Sequence, residues 1–282
     1  MNKNIKIGFF GTPDYAVMTL DILHQAGFDI AFVVTMPDRP QGRKMFLTPP
    51  PAKVWAEQYK VPVLQPEKLR DTAFIDSLKK FECDIFVVIA YGKIIPDEIL
   101  NIPEAKSLNI HGSLLPKYRG SCPIETAILE DQKKTGVTII RMDSEMDHGP
   151  IIAMKDVVVE PWPPQSEVLG SEIVKTGSDL LVSILPDWVA GKLPEIEQDH
   201  SQATYTEKIE KEDGLIDLSD DPYKNYLKIQ AYRGWPSTFF FIEKDGKNIR
   251  VKITQASFKN GKLTIEKVIP EGKPETDYFT LL

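Results

Sequence analysis

The sequence predicts an α/β protein in which a doubly wound, mostly parallel sheet is followed by a small β-barrel. Three observations carry this expectation. The first half alternates short apolar runs with amphipathic stretches, the rhythm of βαβ units. The last 80 residues change to short strands broken by Asp-Gly and Asn-Gly turns. Between them, residues 195–203 are polar, with Ile196 the one large aliphatic side chain.

Residues 5–10 are nearly all apolar, as a strand buried on both faces is. Gly11 follows, then Thr12 at a helix N-cap position and Pro13 at the first helical position. Val17, Leu20, Leu23 and Ala26 give that helix an apolar stripe, and Gly27 stops it. A strand over residues 29–35 completes a right-handed βαβ unit. The rhythm continues with a helix over 51–59, a strand over 61–64, a helix over 72–81 and a strand over 84–90. Two more strands fall at 106–111 and 137–142, making this half a Rossmann-like sheet. After Pro161-Trp162-Pro163-Pro164 a long helix carries Leu169, Ile173, Leu180, Leu181, Ile184 and Trp188 on one side, and Gly191 and Pro194 end it. Beyond the linker, strands over 238–242, 249–256 and 263–268 meet at the hairpin signals Asp245-Gly246 and Asn260-Gly261. Hairpins in so short a stretch suggest a small OB-like barrel or a curled sheet. The expected boundaries are therefore residues 1–190 for the first domain, 191–202 for the linker and 203–282 for the second.

Composition excludes several classes. At 42% hydrophobic and 27% charged residues, the 282-residue chain is neither disordered nor fibrous. It has no apolar run long enough to span a bilayer, and the run after Lys6 stops at Asp14, too early for a secretion signal. Cys83 and Cys122 form no CxxC pair, and the four histidines (His24, His111, His148, His200) form no ligand cluster, so no metal is expected. A cytoplasmic monomer with no membrane partner is the expectation. The net charge is −7, yet residues 203–282 carry 13 basic and 13 acidic residues, so the whole excess lies in residues 1–202. Two basic stretches stand out: Arg39, Arg43, Lys44 and Lys53 against Asp38, and eight bases against four acids over 241–273. Two such patches on an acidic protein suit one polyanion; two solvated faces explain them as well.

The chemistry concentrates after the strand at 106–111. No GxGxxG or GxxxxGKS run is present, so dinucleotide and nucleoside-triphosphate chemistry drop out. Asn109 and His111 lie two apart on a strand and present an amide and an imidazole to one side, at the edge where open α/β sheets bind ligands. Met142-Asp143-Ser144-Glu145-Met146-Asp147-His148-Gly149-Pro150 forms an acidic loop after the next strand. A carboxylate brought beside His111 would fix its ring, and spacing alone leaves Asp143, Glu145 and Asp147 all open.

Asn109-x-His111-Gly112-Ser113-Leu114-Leu115-Pro116, with Asp147 downstream, resembles the active-site signature of the 10-formyltetrahydrofolate-dependent formyltransferases. Phe10-Gly11-Thr12-Pro13-Asp14, Pro37-Asp38-Arg39-Pro40-Gln41-Gly42-Arg43, Ala90-Tyr91-Gly92-Lys93-Ile94-Ile95-Pro96 and the stretch from Ala203-Thr204-Tyr205 to Asp217 are similar to the branch acting on initiator tRNA. The resemblance implies formyl transfer from 10-formyltetrahydrofolate, a cosubstrate rather than a tightly bound cofactor, to the α-amine of methionyl-initiator tRNA. It implies Asn109, His111 and Asp147 as the catalytic set. Ser113, Leu114, Leu115 and Pro116, with Ala90, Tyr91, Gly92 and Ile94, would hold the folate, and Arg39, Arg43 and Lys44 the tRNA. Where the family has glycine and two lysines after the loop arginine, this chain has Lys44 followed by Met45 and Phe46, two large apolar groups suited to stacking on bases. The alternatives are a formyltransferase for an amino-sugar nucleotide, a hydrolase of 10-formyltetrahydrofolate, and an inactive folate- or RNA-binding module. Cys122 reads as a small loop filler, and His148 as a solvated loop residue or a second acid–base group.

Overall fold

The computed structural model describes residues 5–42, 45–244 and 246–281. Arg43 and Lys44, two of the expected tRNA contacts, and Asp245 of the first hairpin signal lie outside them. In chain order the elements are β1 (Lys6–Gly11), α1 (Asp14–Gln25), β2 (Asp29–Val34), β3 (Arg39–Gln41), β4 (Phe46–Thr48), α2 (Pro51–Gln58), β5 (Val63–Leu64), α3 (Thr72–Lys79) and β6 (Ile85–Ile89). There follow α4 (Asp97–Leu100), β7 (Ser107–His111), α5 (Pro123–Leu129), β8 (Thr135–Arg141), β9 (Ile151–Val157), α6 (Ser166–Val189) and α7 (Pro222–Ala231). The chain ends with β10 (Phe239–Lys244), β11 (Lys247–Lys259), β12 (Lys262–Pro270) and β13 (Thr276–Asp277).

Seven strands form the main sheet in the order β5-β2-β1-β6-β7-β8-β9. The pairs β1–β2, β1–β6, β2–β5 and β6–β7 are parallel. The chain winds one way from β1 to β5 and the other way from β6, so the switch point lies between β1 and β6; open α/β sheets as a class bind ligands at the carboxyl ends of the strands at such a point. Ile7, Phe9 and Phe10 of β1 are fully buried, as are Phe32, Val33 and Val34 of β2. β8 runs antiparallel to β7, with Leu108 opposite Arg141 and His111 opposite Thr138. The helix between these strands, α5, belongs to the other compact unit. Helix α6 backs the sheet through Gly177, where a side chain would meet Ile110 and Val137 at 2.6–2.7 Å. Thr12 does not cap α1. The cap position is Pro13, and Thr12 Oγ1 instead donates to the Tyr91 carbonyl and accepts from the Met36 amide, tying the ends of β1 and β6 together.

The compact units do not follow the chain order expected from sequence. The first comprises Met1–Arg119, Gly136–Val157 and Ser171–Thr204; the second comprises Gly120–Thr135, Val158–Gly170 and Tyr205–Leu282. The stretch expected as a linker is part of the first unit: Ile196 pairs with Ile151 and Gln198 is buried. Within the second unit α5 packs on α7, and Asp131 accepts hydrogen bonds from Trp162 Nε1 at 2.6 Å and Tyr223 Oη at 3.0 Å. Its sheet runs β10-β11-β12-β13, antiparallel throughout, with bulges in β11 near Gln255 that curl it around Ile229, Phe240, Val251, Ile253 and Val268. No helix among the described residues is long and apolar enough to cross a membrane.

Cys83 lies in the apolar cluster behind β6, where burial pushes its thiol up to about 12, while Cys122 is half-buried. Reactivity follows the thiolate. At about pH 8 an alkylating reagent is expected to label Cys122 and spare Cys83 until the chain unfolds, which peptide mapping of native and urea-treated protein checks. Equal labelling of both in native protein would contradict the burial.

Candidate active site

The site is built at the end of β7. Asn109 and His111 share one side of the strand, and both reach Asp147 from the loop after β8. Asn109 Nδ2 donates to Asp147 Oδ1 at 3.4 Å, and His111 Nδ1 lies 3.5 Å from Asp147 Oδ2. These are long contacts of the kind that tighten when a reactant arrives. His111 Nε2 lies 2.8 Å from the Tyr118 carbonyl. A carbonyl only accepts, so Nε2 carries the hydrogen and Nδ1 is the edge left for chemistry. Of the three carboxylates open on spacing, Asp147 is the one at His111. Asp143 instead bonds His148 Nδ1 at 2.8 Å and accepts the Glu145 amide.

Backbone geometry explains how Asp147 arrives there. Its φ is +50°, and the loop closes back on the strand end where Arg141 N donates to the Pro150 carbonyl. Gly149 packs directly against the Arg141 carbonyl, with no room for a side chain.

The loop after His111 is held as a firm wall. Thr138 Oγ1 donates to the Ser113 carbonyl at 2.6 Å and accepts the Leu115 amide at 3.1 Å. Ser113 Oγ donates to the Lys117 carbonyl, Lys117 N to the Leu114 carbonyl, and Thr204 N to the Pro116 carbonyl. Several main-chain groups expected to meet a folate are therefore committed within the loop. At the end of β6 the chain turns sharply, with Ala90 at φ +47° and Gly92 at +91°. The Tyr91 ring turns inward against Phe10, 5.7 Å between centroids, and burial pushes its phenol up to about 12. Its carbonyl accepts from Thr12 Oγ1 at 2.9 Å, whereas Ile94 is 78% exposed.

Arg39 stands exposed on β3, part of a β3–β4 hairpin that a loop reading of the sequence missed. Lys53, counted in the same basic stretch, is tied to Asp38 at 2.8 Å and Asp38 also accepts from Gln65. In the second unit Arg250 lies over the Phe239 ring at 3.7 Å, and Lys259 is paired opposite Lys262. A groove lined by Asp84, Glu104, Lys106, Trp188 and Glu195 includes the residues just before β6 and β7, at the opposite ends of those strands from Asn109 and His111. Among the described residues no group of three His, Cys, Asp or Glu is arranged to hold a metal ion.

Sequence reasoning missed Thr138, Arg119 and Gln198. Arg119 is 1% exposed and donates to Gln198 Oε1 and to His200 Nδ1. His200 in turn stacks on His148 at 4.1 Å. Thr138→Val should leave two buried main-chain groups unpaired and cost about 2 kcal/mol. A urea titration checks it, and an unchanged midpoint would show that the wall does not depend on this hydroxyl.

A formyl transferase family pattern matches residues 3–185. The methionyl-tRNA formyltransferase of Chloroflexus aggregans is 46% identical over 239 residues, covering 84% of this chain and 76% of the relative. That of Sulfurihydrogenibium sp. is 38% identical over 257 residues, covering 90% and 82%. Among solved structures, methionyl-tRNA formyltransferase from Clostridium thermocellum has a TM-score of 0.62 at 19% identity, covering 94% and 98% of the two chains. A sugar 3N-formyl transferase solved with dTDP and 5-N-formyl-THF has 0.65 at 19%, covering 91% and 87%. The structural likenesses speak for the fold alone; the sequence likenesses are close enough to place the chain. It belongs to the formyl transferase family and, within that family, to the methionyl-tRNA formyltransferases.

Proposed function

We propose that this chain transfers the formyl group of 10-formyltetrahydrofolate to the α-amine of methionyl-initiator tRNA. The observation that carries the mechanism is the meeting of Asn109, His111 and Asp147 at the carboxyl end of β7. The amine nitrogen attacks the formyl carbon, and charge develops on the formyl oxygen. Asn109 Nδ2 and a protonated His111 Nδ1 donate to that oxygen. Asp147 neutralises the imidazolium and receives the proton released by the amine. The C–N10 bond then breaks and N10 takes up a proton, leaving a formamide and tetrahydrofolate. The firm wall at residues 113–116 and the turn at 90–92, with Ile94 beside it, flank the folate. Arg39, together with Arg43 and Lys44, meets the acceptor arm, and Met45 and Phe46 stack on its unpaired bases. The second unit supplies further basic contacts.

The same fold serves sugar N-formyltransferases, so an amino-sugar nucleotide is the rival acceptor. One transfer assay decides between them: 10-formyltetrahydrofolate with methionyl-initiator tRNA and a 4-amino-sugar nucleotide side by side. Formylation of the sugar alone would overturn the proposal. His111→Ala should lower kcat about a hundredfold with little change in folate affinity, because one lost donor to an oxyanion is worth ~3 kcal/mol in the transition state. Equal losses in affinity and turnover would remove the role. The slope of log affinity for tRNA against log salt should fall by about one in Arg43→Ala where that side chain meets a phosphate. A fixed slope with lower affinity would place it among bases instead.

A further inference from the structure

We propose that residues 196–204 act as a strap that sets the His111–Asp147 geometry, with Gln198 and Thr204 as its positioning residues. The proposal deepens the catalytic role just given to that pair and rests on it.

Both ring nitrogens of His111 face groups on left-handed backbone. Nε2 meets the carbonyl of Tyr118, whose φ is +59°, and Nδ1 faces the carboxylate of Asp147, whose φ is +50°. Non-glycine residues keep such conformations only where their surroundings over-determine them. The strap supplies the surroundings in both cases. At one end Thr204 Oγ1 accepts the Tyr118 amide at 2.8 Å. Its carbonyl accepts the Arg119 amide at 2.8 Å, and its own amide donates to the Pro116 carbonyl. In the middle, Gln198 Nε2 donates to the carbonyls of Asp147 at 2.9 Å and Gly149 at 2.7 Å. Gln198 Oε1 accepts Arg119 Nε at 3.2 Å and Nη2 at 2.7 Å. The amide thus uses both hydrogens on the Asp147 loop and its oxygen on the residue following Tyr118. At the other end Ile196 exchanges two backbone bonds with Ile151 of β9, which anchors the strap to the sheet. One nine-residue segment therefore grips both loops whose groups meet His111.

The test uses the full chain and three substitutions. Gln198→Glu keeps the size and an acceptor for the buried Arg119 but removes the two N–H groups given to Asp147 and Gly149. Thr204→Val removes the acceptor for Tyr118 N from an exposed position, and Thr204→Ser keeps it. In Gln198→Glu, kcat should fall about tenfold or more, because small misplacements of reacting groups cost that much, while the KM for 10-formyltetrahydrofolate stays within about twofold. Thr204→Val should lose about threefold in kcat, and Thr204→Ser should recover most of it. The ¹⁵N signals of the His111 ring should move in Gln198→Glu and Thr204→Val and stay in Thr204→Ser. Those signals need no substrate, so they judge the strap even where wild-type protein fails to formylate methionyl-initiator tRNA. Unmoved ring signals in either weakened variant, or a loss of kcat that only follows the unfolded fraction, would overturn the strap. Should Gln198→Glu fail to fold, the valine and serine pair decides in the same way.

Discussion

The bond from His111 Nε2 to the Tyr118 carbonyl decides what the rest of the site is able to do. It assigns the ring hydrogen to Nε2 and so turns Nδ1 toward Asp147 and any reactant. A neutral ring then offers a base at Nδ1, and a protonated ring offers a donor there, with Asp147 3.5 Å away to balance the charge. The function proposed above uses the protonated state: the ring donates to the oxyanion, and Asp147 receives the proton that leaves the amine. The other features follow from keeping that ring still. β7 buries it, Gly177 lets α6 pack behind β7, and Thr138 holds the loop that carries the chain from His111 toward Tyr118.

Much of the sheet was legible because it depends on local pattern. Nearly continuous apolar runs announced β1, β2 and β6, and the glycine and proline signals marked α1 and α2 within a residue or two. The tertiary choices were not legible. Nothing local distinguishes a strand that pairs antiparallel from one that pairs parallel, so the direction of β8 became visible only in its register with β7. Thr12 illustrates the same limit: a hydroxyl at the N-cap position had a better use between β1 and β6. Helix α7 did leave a signal, Asp221-Pro222, in which the aspartate accepts the amides of Tyr223 and Lys224. Its weak apolar stripe hid it among polar residues.

The site divides in the same way. Asn109 and His111 were readable as a pair from strand periodicity, since period two puts them on one side. Spacing left three carboxylates open, because a loop that folds back on its strand can aim any of them. The residues that decide the aim were invisible. Gln198 sits in a stretch whose polarity reads as linker, yet it is 5% exposed and saturated with hydrogen bonds. Polarity in sequence marks solvent exposure only on average; a buried amide with four partners has the same composition as a solvated one.

Acceptor choice cannot come from the sheet, because folds of this kind with TM-scores of 0.62 and 0.65 act on tRNA and on sugars alike. It must come from what surrounds the strand ends. The β3–β4 hairpin is the clearest candidate by its chemistry. Its tip exposes Met45, Phe46 and Leu47 at 67–68%, an arrangement water does not favour without a partner. Its base is fixed by the Asp38–Lys53 pair, so Lys53 serves the hairpin's own shape and leaves Arg39 as an exposed cation on its first strand. A rigid base, an exposed arginine and an apolar tip suit a ligand that offers both phosphate charge and open base faces. A sugar nucleotide offers a short version of that surface, and the acceptor end of a tRNA a long one. In the function proposed above, the exposed bases of the longer ligand are what would cover this apolar tip.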